Sequence, residues 1–206
     1  MKLNTEIRER GDVWVIVPGE EDIKPLEKVL PDVSLVSVTG FSWDDDLSPW
    51  FAPKVFQKGN DFGGNAQELL DHLTGEIIPG LKQTYSVRKL IIAGYSLAGL
   101  FALYAAGSTE AFDGAVSASG SLWFPGFTDW LREHPLHAEA VYLSLGDKEP
   151  LTKNPLMASV GTCTEAVYTM LGAYTDACFE WNEGNHFMNA PERLAKGIRW
   201  TVEHLQ

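Results

Sequence analysis

Six short apolar runs, at 14–17, 35–38, 90–93, 114–117, 141–145 and 177–181, alternate with stretches whose apolar residues recur at helical spacing. The first run stops at Pro18-Gly19, the punctuation of a buried parallel strand. Residues 22–30 then read as a short helix, with Asp22 near its start and Pro31 just past its end. In 65–78, Leu69, Leu70, Leu73 and Ile77 share one helical face, and Asn65 stands where an N-cap belongs. The run at 90–93 passes through Gly94-Tyr95-Ser96-Leu97-Ala98-Gly99 into a Leu- and Ala-rich helix that stops at Gly107. Further helices fall at 163–174 and 191–204. Strands alternating with helices imply right-handed βαβ units and a mostly parallel sheet covered on both faces. The chain, 1–206, therefore reads as one α/β domain of three layers.

One stretch breaks this rhythm. Residues 40–64 form a long loop rich in Pro, Gly, Asp and aromatics, and such a loop is uncommon in a compact domain unless it serves a site. Ligands of such sheets bind where loops leave the carboxyl ends of the strands.

That rule selects the candidate chemistry. Ser96, between a strand signal and a helix signal, has the layout of a nucleophile held on a tight turn. Gly94 and Ala98 supply the small residues that so sharp a turn needs. A serine hydroxyl needs a general base, and the base needs an orienting acceptor on its far nitrogen. Of the five histidines, His72 and His204 fall within helices and read as surface residues. His134 and His137 follow no strand directly. His186 stands in a Gly-Asn loop straight after the last strand, where the base belongs in the order Ser, acid, His. The acid should follow the preceding strand, where Asp147 and Glu149 both qualify. Oxyanion donors are expected from the Leu97 amide and from the loop after the first strand, at Gly19 or Glu20.

Composition narrows the partners. A net charge of −12 argues against nucleic acid and against an anionic membrane surface. No apolar run approaches the ~20 residues that span a bilayer, and the polar N-terminus carries no leader-like apolar core. Cys163 and Cys178 form no CxxC pair and read as reduced, buried thiols of a cytoplasmic protein. Without a P-loop, a G-x-G-x-x-G or an H-E-x-x-H, the expected chemistry needs no cofactor and no metal. Asp44-Asp45-Asp46 reads as a solvated turn, lacking the ligand spacing of a calcium loop. A homo-oligomer is compatible with all of this.

Four segments carry a family resemblance: Gly94 to Gly99, Ser117 to Trp123, Ser144 to Glu149 and Gly184 to Phe187. With them the chain resembles an α/β-hydrolase of the Putative esterase family, the group that includes esterase D, the S-formylglutathione hydrolases and enterochelin-esterase-like enzymes. Ala98 stands where that family usually has a second Gly. The resemblance implies a Ser-His-acid serine esterase acting on a small-molecule ester, with Glu149 at the position of the family's acid, although some relatives manage with Ser and His alone. It also implies a sheet reduced to about six strands, because only about a dozen residues precede the first one.

Aromatic residues on the loops point to an apolar cleft for the acyl or alcohol part of the ester, with Trp43, Trp123 and Phe124 as its candidate walls. Phe41, Trp50, Phe51, Phe56, Phe62 and Trp130 lie in the same loops, and core plugging is the competing reading for all of them. A thioesterase or acyltransferase could use the same site, and a noncatalytic binding protein could share the fold.

Overall fold

In the computed structural model, which describes residues 1–19, 23–55 and 58–205, the described strands pair into one seven-stranded sheet. They are β1 (Asn4–Arg8), β2 (Val13–Pro18), β3 (Ser34–Thr39), β4 (Lys89–Tyr95), β5 (Gly114–Ala118), β6 (Ala140–Gly146) and β7 (Asp176–Asn182). Their order across the sheet is β1-β3-β2-β4-β5-β6-β7. All neighbours run parallel except β1, which lies antiparallel on β3 with Ile7 opposite Val36. The expected six strands are all present, and β1 is the correction. Its sequence, Asn-Thr-Glu-Ile-Arg, carries one large apolar residue because the strand forms a partly exposed sheet edge. An edge of this kind leaves no apolar run to read.

The helices are α1 (Lys24–Val29), α2 (Trp43–Asp46), α3 (Ala66–His72), α4 (Ile78–Thr84), α5 (Leu97–Ser108), α6 (Phe127–Glu133), α7 (Pro155–Ala158), α8 (Val160–Leu171) and α9 (Ala190–His204). Side chains alternate across β2. Val13, Val15 and Val17 face a layer that includes Leu26 of α1 and Leu194 and Ile198 of α9, while Trp14 and Ile16 belong to the core on the opposite face, with residues of α3 and α5. Helix α5 is buried from Leu97 to Gly107, which explains its nearly unbroken apolar sequence.

Several boundaries differ from expectation. The helix expected over 65–78 continues through a π-helical turn (Leu73–Ile77) into α4. Pro79 offers no N–H to the carbonyl four residues back, and a π turn is one way to accommodate that break. Asn65 occupies the N-cap position of α3, yet its side chain makes no capping bond. Asp22, expected near the start of α1, lies outside the described residues. The long loop contains α2 and an isolated antiparallel bridge between Ala52 and Phe62. The Asp triplet is thus helical rather than a solvated turn. Asp46 is buried and its carboxylate accepts the Ser42 amide at 2.7 Å, serving the unpaired end of α2. Both cysteines are free thiols that are only partly buried. No helix among the described residues is long and apolar enough to cross a membrane.

Candidate active site

Strand β4 ends at Tyr95 and α5 begins at Leu97, so Ser96 alone makes the turn. It does so at φ 61° and ψ −123°, a conformation that L-residues adopt only where the surroundings enforce it. Four backbone bonds do the enforcing. The Ser96 amide donates to Ala118 at 3.1 Å, and its carbonyl accepts from Gly99 and Ser121, each at 3.0 Å, and from Leu100 at 3.2 Å. A Cβ on Gly94 would overlap the backbone of Ala98, so residue 94 has to be glycine.

Ser96 faces His186. Ser96 Oγ lies 3.0 Å from Nε2 of His186, and Nδ1 of the same ring lies 2.7 Å from Oε2 of Glu149. In the tautomer protonated at Nδ1, the ring donates to the carboxylate and accepts from the serine. The structure also separates the two candidate acids. Glu149 turns to His186, while Asp147 turns to the loop that carries the histidine and accepts the Gly184 amide at 2.8 Å. The second oxygen of Glu149 accepts from the Gly146 amide at 2.6 Å and from the Ser119 hydroxyl at 2.7 Å. Burial alone pushes the Glu149 carboxyl upward, but the bonds from His186, Gly146 and Ser119 outweigh it. They hold the group below the ordinary carboxylate value.

The other histidines lie elsewhere. His72 bonds Glu76, and His134 stacks on Trp130. His204 stacks on Trp200 with ring centroids 4.0 Å apart, so it is partly buried rather than solvated. His137 lines a separate surface depression with Tyr174 and Glu139.

Of the expected oxyanion donors, the Leu97 amide is the first N–H of α5 and has, by position, no intrahelical acceptor. Gly19 is a correction. Its amide donates to the Val38 carbonyl at 2.8 Å and is spent on the sheet. Glu20 lies outside the described residues. Gly19 instead makes room for Trp43, whose ring would overlap any Cβ at residue 19.

A cavity of about 850 Å³ opens over Ser96 and His186, walled by Trp43, Phe62, Trp123, Met157 and Val160. Of the three candidate walls, Trp43 and Trp123 line this cavity and Phe124 does not. It is 2 % exposed and packs against Trp50 and Phe62 in the core, away from the cavity. Trp50 and Trp130 likewise pack into the core with Phe127, Phe41 is partly buried against it, and Phe51 is exposed. Phe56 lies outside the described residues.

Sequence reasoning missed Tyr95, Ser119 and Arg193. Ser119 bonds Glu149 from a left-handed turn at φ 46°. Arg193 had a readable signal, because it falls on the same face of α9 as the buried Gly197 and Thr201, where a cation is out of place.

Comparison with known proteins bears on the fold and the family. The uncharacterized protein YbbA of Bacillus subtilis (strain 168) is 25% identical over 149 residues, which make up 69% of this chain and 60% of that protein. The chain thus matches less than two thirds of that relative's length. Siderophore hydrolase EstA from Aspergillus nidulans superposes with a TM-score of 0.74 at 17% identity, covering 94% of this chain and 83% of its own. The Bacillus cereus carboxylesterase superposes with a TM-score of 0.61 at 18% identity, covering 98% and 94%. At such identities the likeness is one of fold, the α/β-hydrolase fold. The model of the Putative esterase family matches residues 27–170, and the chain belongs to that family.

Proposed function

We propose that the protein is a serine esterase that hydrolyses carboxylic esters through an acyl-enzyme on Ser96, His186 and Glu149. The observation that carries this reading is His186 bridging Ser96 at 3.0 Å and Glu149 at 2.7 Å beneath an apolar cavity. Ser96 Oγ adds to the ester carbonyl as its proton passes to Nε2 of His186. The carbonyl oxygen gains the negative charge, and the Leu97 amide, backed by the N-terminal end of α5, stabilises it. Collapse of this intermediate breaks the bond to the alkoxy oxygen, which leaves with the proton from His186. Water then adds to the acyl-enzyme with His186 as base, and the carboxylic acid leaves as Ser96 regains its proton. Glu149 keeps the ring in the required tautomer and stabilises the imidazolium formed in each half-reaction.

The test is labelling with a fluorophosphonate, compared between wild type and Ser96→Ala, together with a burst assay on p-nitrophenyl acetate. Stoichiometric labelling and a burst that both vanish in Ser96→Ala are expected. A folded wild type that takes no label would overturn the reading in favour of a noncatalytic binding protein.

A further inference from the structure

The guanidinium of Arg193 touches the loops that carry Glu149 and His186, and the side chain of Tyr95 at the end of β4, one residue before Ser96. From α9, Nη2 donates to the Glu183 carbonyl at 2.9 Å, at the entry to the His186 loop. Nη1 lies 3.2 Å from Ser119 Oγ, 3.3 Å from the Tyr95 hydroxyl and 3.4 Å from Oε1 of Glu149. The two groups between them pass the contact on. Tyr95, next to the serine in sequence, donates its hydroxyl to the His186 carbonyl at 2.7 Å, and Ser119 donates to Glu149 at 2.7 Å. The side chains of Arg193 and Glu149 are only 3 % and 5 % exposed. A buried guanidinium has to be compensated, and the carboxylate in reach is the one whose other oxygen holds His186.

Resting on the esterase reading above, we infer that Arg193 is a positioning residue for hydrolysis, locking the His186 loop and Glu149 in register with Ser96 and drawing part of the carboxylate's charge away from the histidine. Arg193 is not among the cavity-lining residues, so it acts through its partners and not on the substrate. Its planar fork suits the task because it reaches a carbonyl, two hydroxyls and a carboxylate at once. A lysine would keep the charge and lose most of these directions. The titratable groups around it are Glu149 from the loop after β6, Tyr95 from β4, and His186 through Glu149. Asp147 is engaged with the Gly184 amide.

Two effects then separate. Loosening the register lowers kcat, and a misplacement of about 1 Å costs on the order of 100-fold. Removing the cation leaves the full charge of Glu149 to favour the imidazolium, so the acid limb of kcat/KM moves to higher pH.

The experiment measures kcat, KM and the pH profile on p-nitrophenyl acetate for wild type, Arg193→Met, Arg193→Lys and Tyr95→Phe. Fluorophosphonate titration counts the competent sites in each. For Arg193→Met the expected result is a kcat at least tenfold lower per titrated site, an unchanged KM, and an acid limb raised by roughly half a pH unit or more. Arg193→Lys should lose kcat with its acid limb in place. Tyr95→Phe, which removes one donor and no charge, should lower kcat severalfold, and it carries the test if Arg193→Met does not fold. Arg193 and Tyr95 variants that lose only melting temperature, with kcat and pH profile per titrated site unchanged, would overturn the inference. A wild type that takes no label sinks the esterase reading instead, so the two failures are distinguishable.

Discussion

Asp147 turns away from His186 and accepts the amide of Gly184 at 2.8 Å, tying down the loop in which the histidine stands. Glu149, two residues later, is the carboxylate that reaches the ring. The two acids should therefore fail in different ways. Glu149→Gln keeps the size but exchanges one accepting oxygen for a donating NH2 and loses the charge that holds the tautomer, and kcat should fall by about 10³–10⁴-fold. Asp147→Asn keeps an oxygen for the Gly184 amide, and kcat should stay within about threefold of wild type, with a loss of stability near 1 kcal/mol. Steady-state kinetics of both variants on p-nitrophenyl acetate decide the matter. A collapse of kcat in Asp147→Asn alone would reassign the acid.

Glu149 also makes stability depend on pH. Its folded carboxyl is held below the ordinary value of 4.5, because bonds from His186, Gly146 and Ser119 outweigh the upward push of burial. For a depressed acid the contribution is complete above the unfolded value and is lost as pH falls through the folded one. The stability gap between wild type and Glu149→Gln should thus shrink as pH falls below about 4.5. Denaturant titrations at pH 7, 5, 4.5 and 3.5 measure it. A gap that stays flat across this range would show that the carboxyl is not held low.

The meeting of Ser96 with His186 could be read from sequence because Ser96 stands straight after the buried strand β4, His186 stands in the loop after the apolar run of β7, and the Ser, acid, His order leaves few histidines to test. The choice between Asp147 and Glu149 could not be read. It depends on the local closure in which Glu149 Oε1 folds back on the Gly146 amide, three residues earlier, in a turn that no periodicity describes. Trp123 and Phe124 show the same limit. They are adjacent in a loop, and one faces the cavity while the other faces the core. Strand β1 was lost because a partly exposed edge has no apolar run, and Gly19 was misjudged because its left-handed turn returns the amide to Val38. What escaped is what tertiary partners decide.

Gly94 and Gly80 are opposite tests of backbone demand. A Cβ at residue 94 would overlap the backbone of Ala98 in the turn below Ser96, whereas nothing lies within 4 Å of one at residue 80, in α4. Gly94→Ala should destabilise by about 3 kcal/mol or more and abolish fluorophosphonate labelling. Gly80→Ala should stabilise by about 0.5–1 kcal/mol and leave labelling intact. Urea midpoints of the two variants check this pair. A tolerated Gly94→Ala would mean that the turn is looser than its hydrogen bonds indicate.

Trp43 and Phe124 separate substrate contact from core packing. Trp43 is 42 % exposed, lines the cavity and rests on Gly19, while Phe124 is sealed beneath Trp50 and Phe62. Trp43→Ala should barely change the urea midpoint, yet raise KM for aromatic or long-chain p-nitrophenyl esters by about tenfold relative to the acetate, the worth of one aromatic contact. Phe124→Ala should cost about 3–5 kcal/mol of stability and leave the ratio of KM values between bulky esters and acetate unchanged. The comparison needs only esters of graded size and an unfolding curve for each variant. If Phe124→Ala changes the size preference at little cost in stability, the cavity extends past Trp123 into what is here the core. If Trp43→Ala leaves the preference untouched, the acyl group leaves Ser96 in another direction, toward Met157 and Val160.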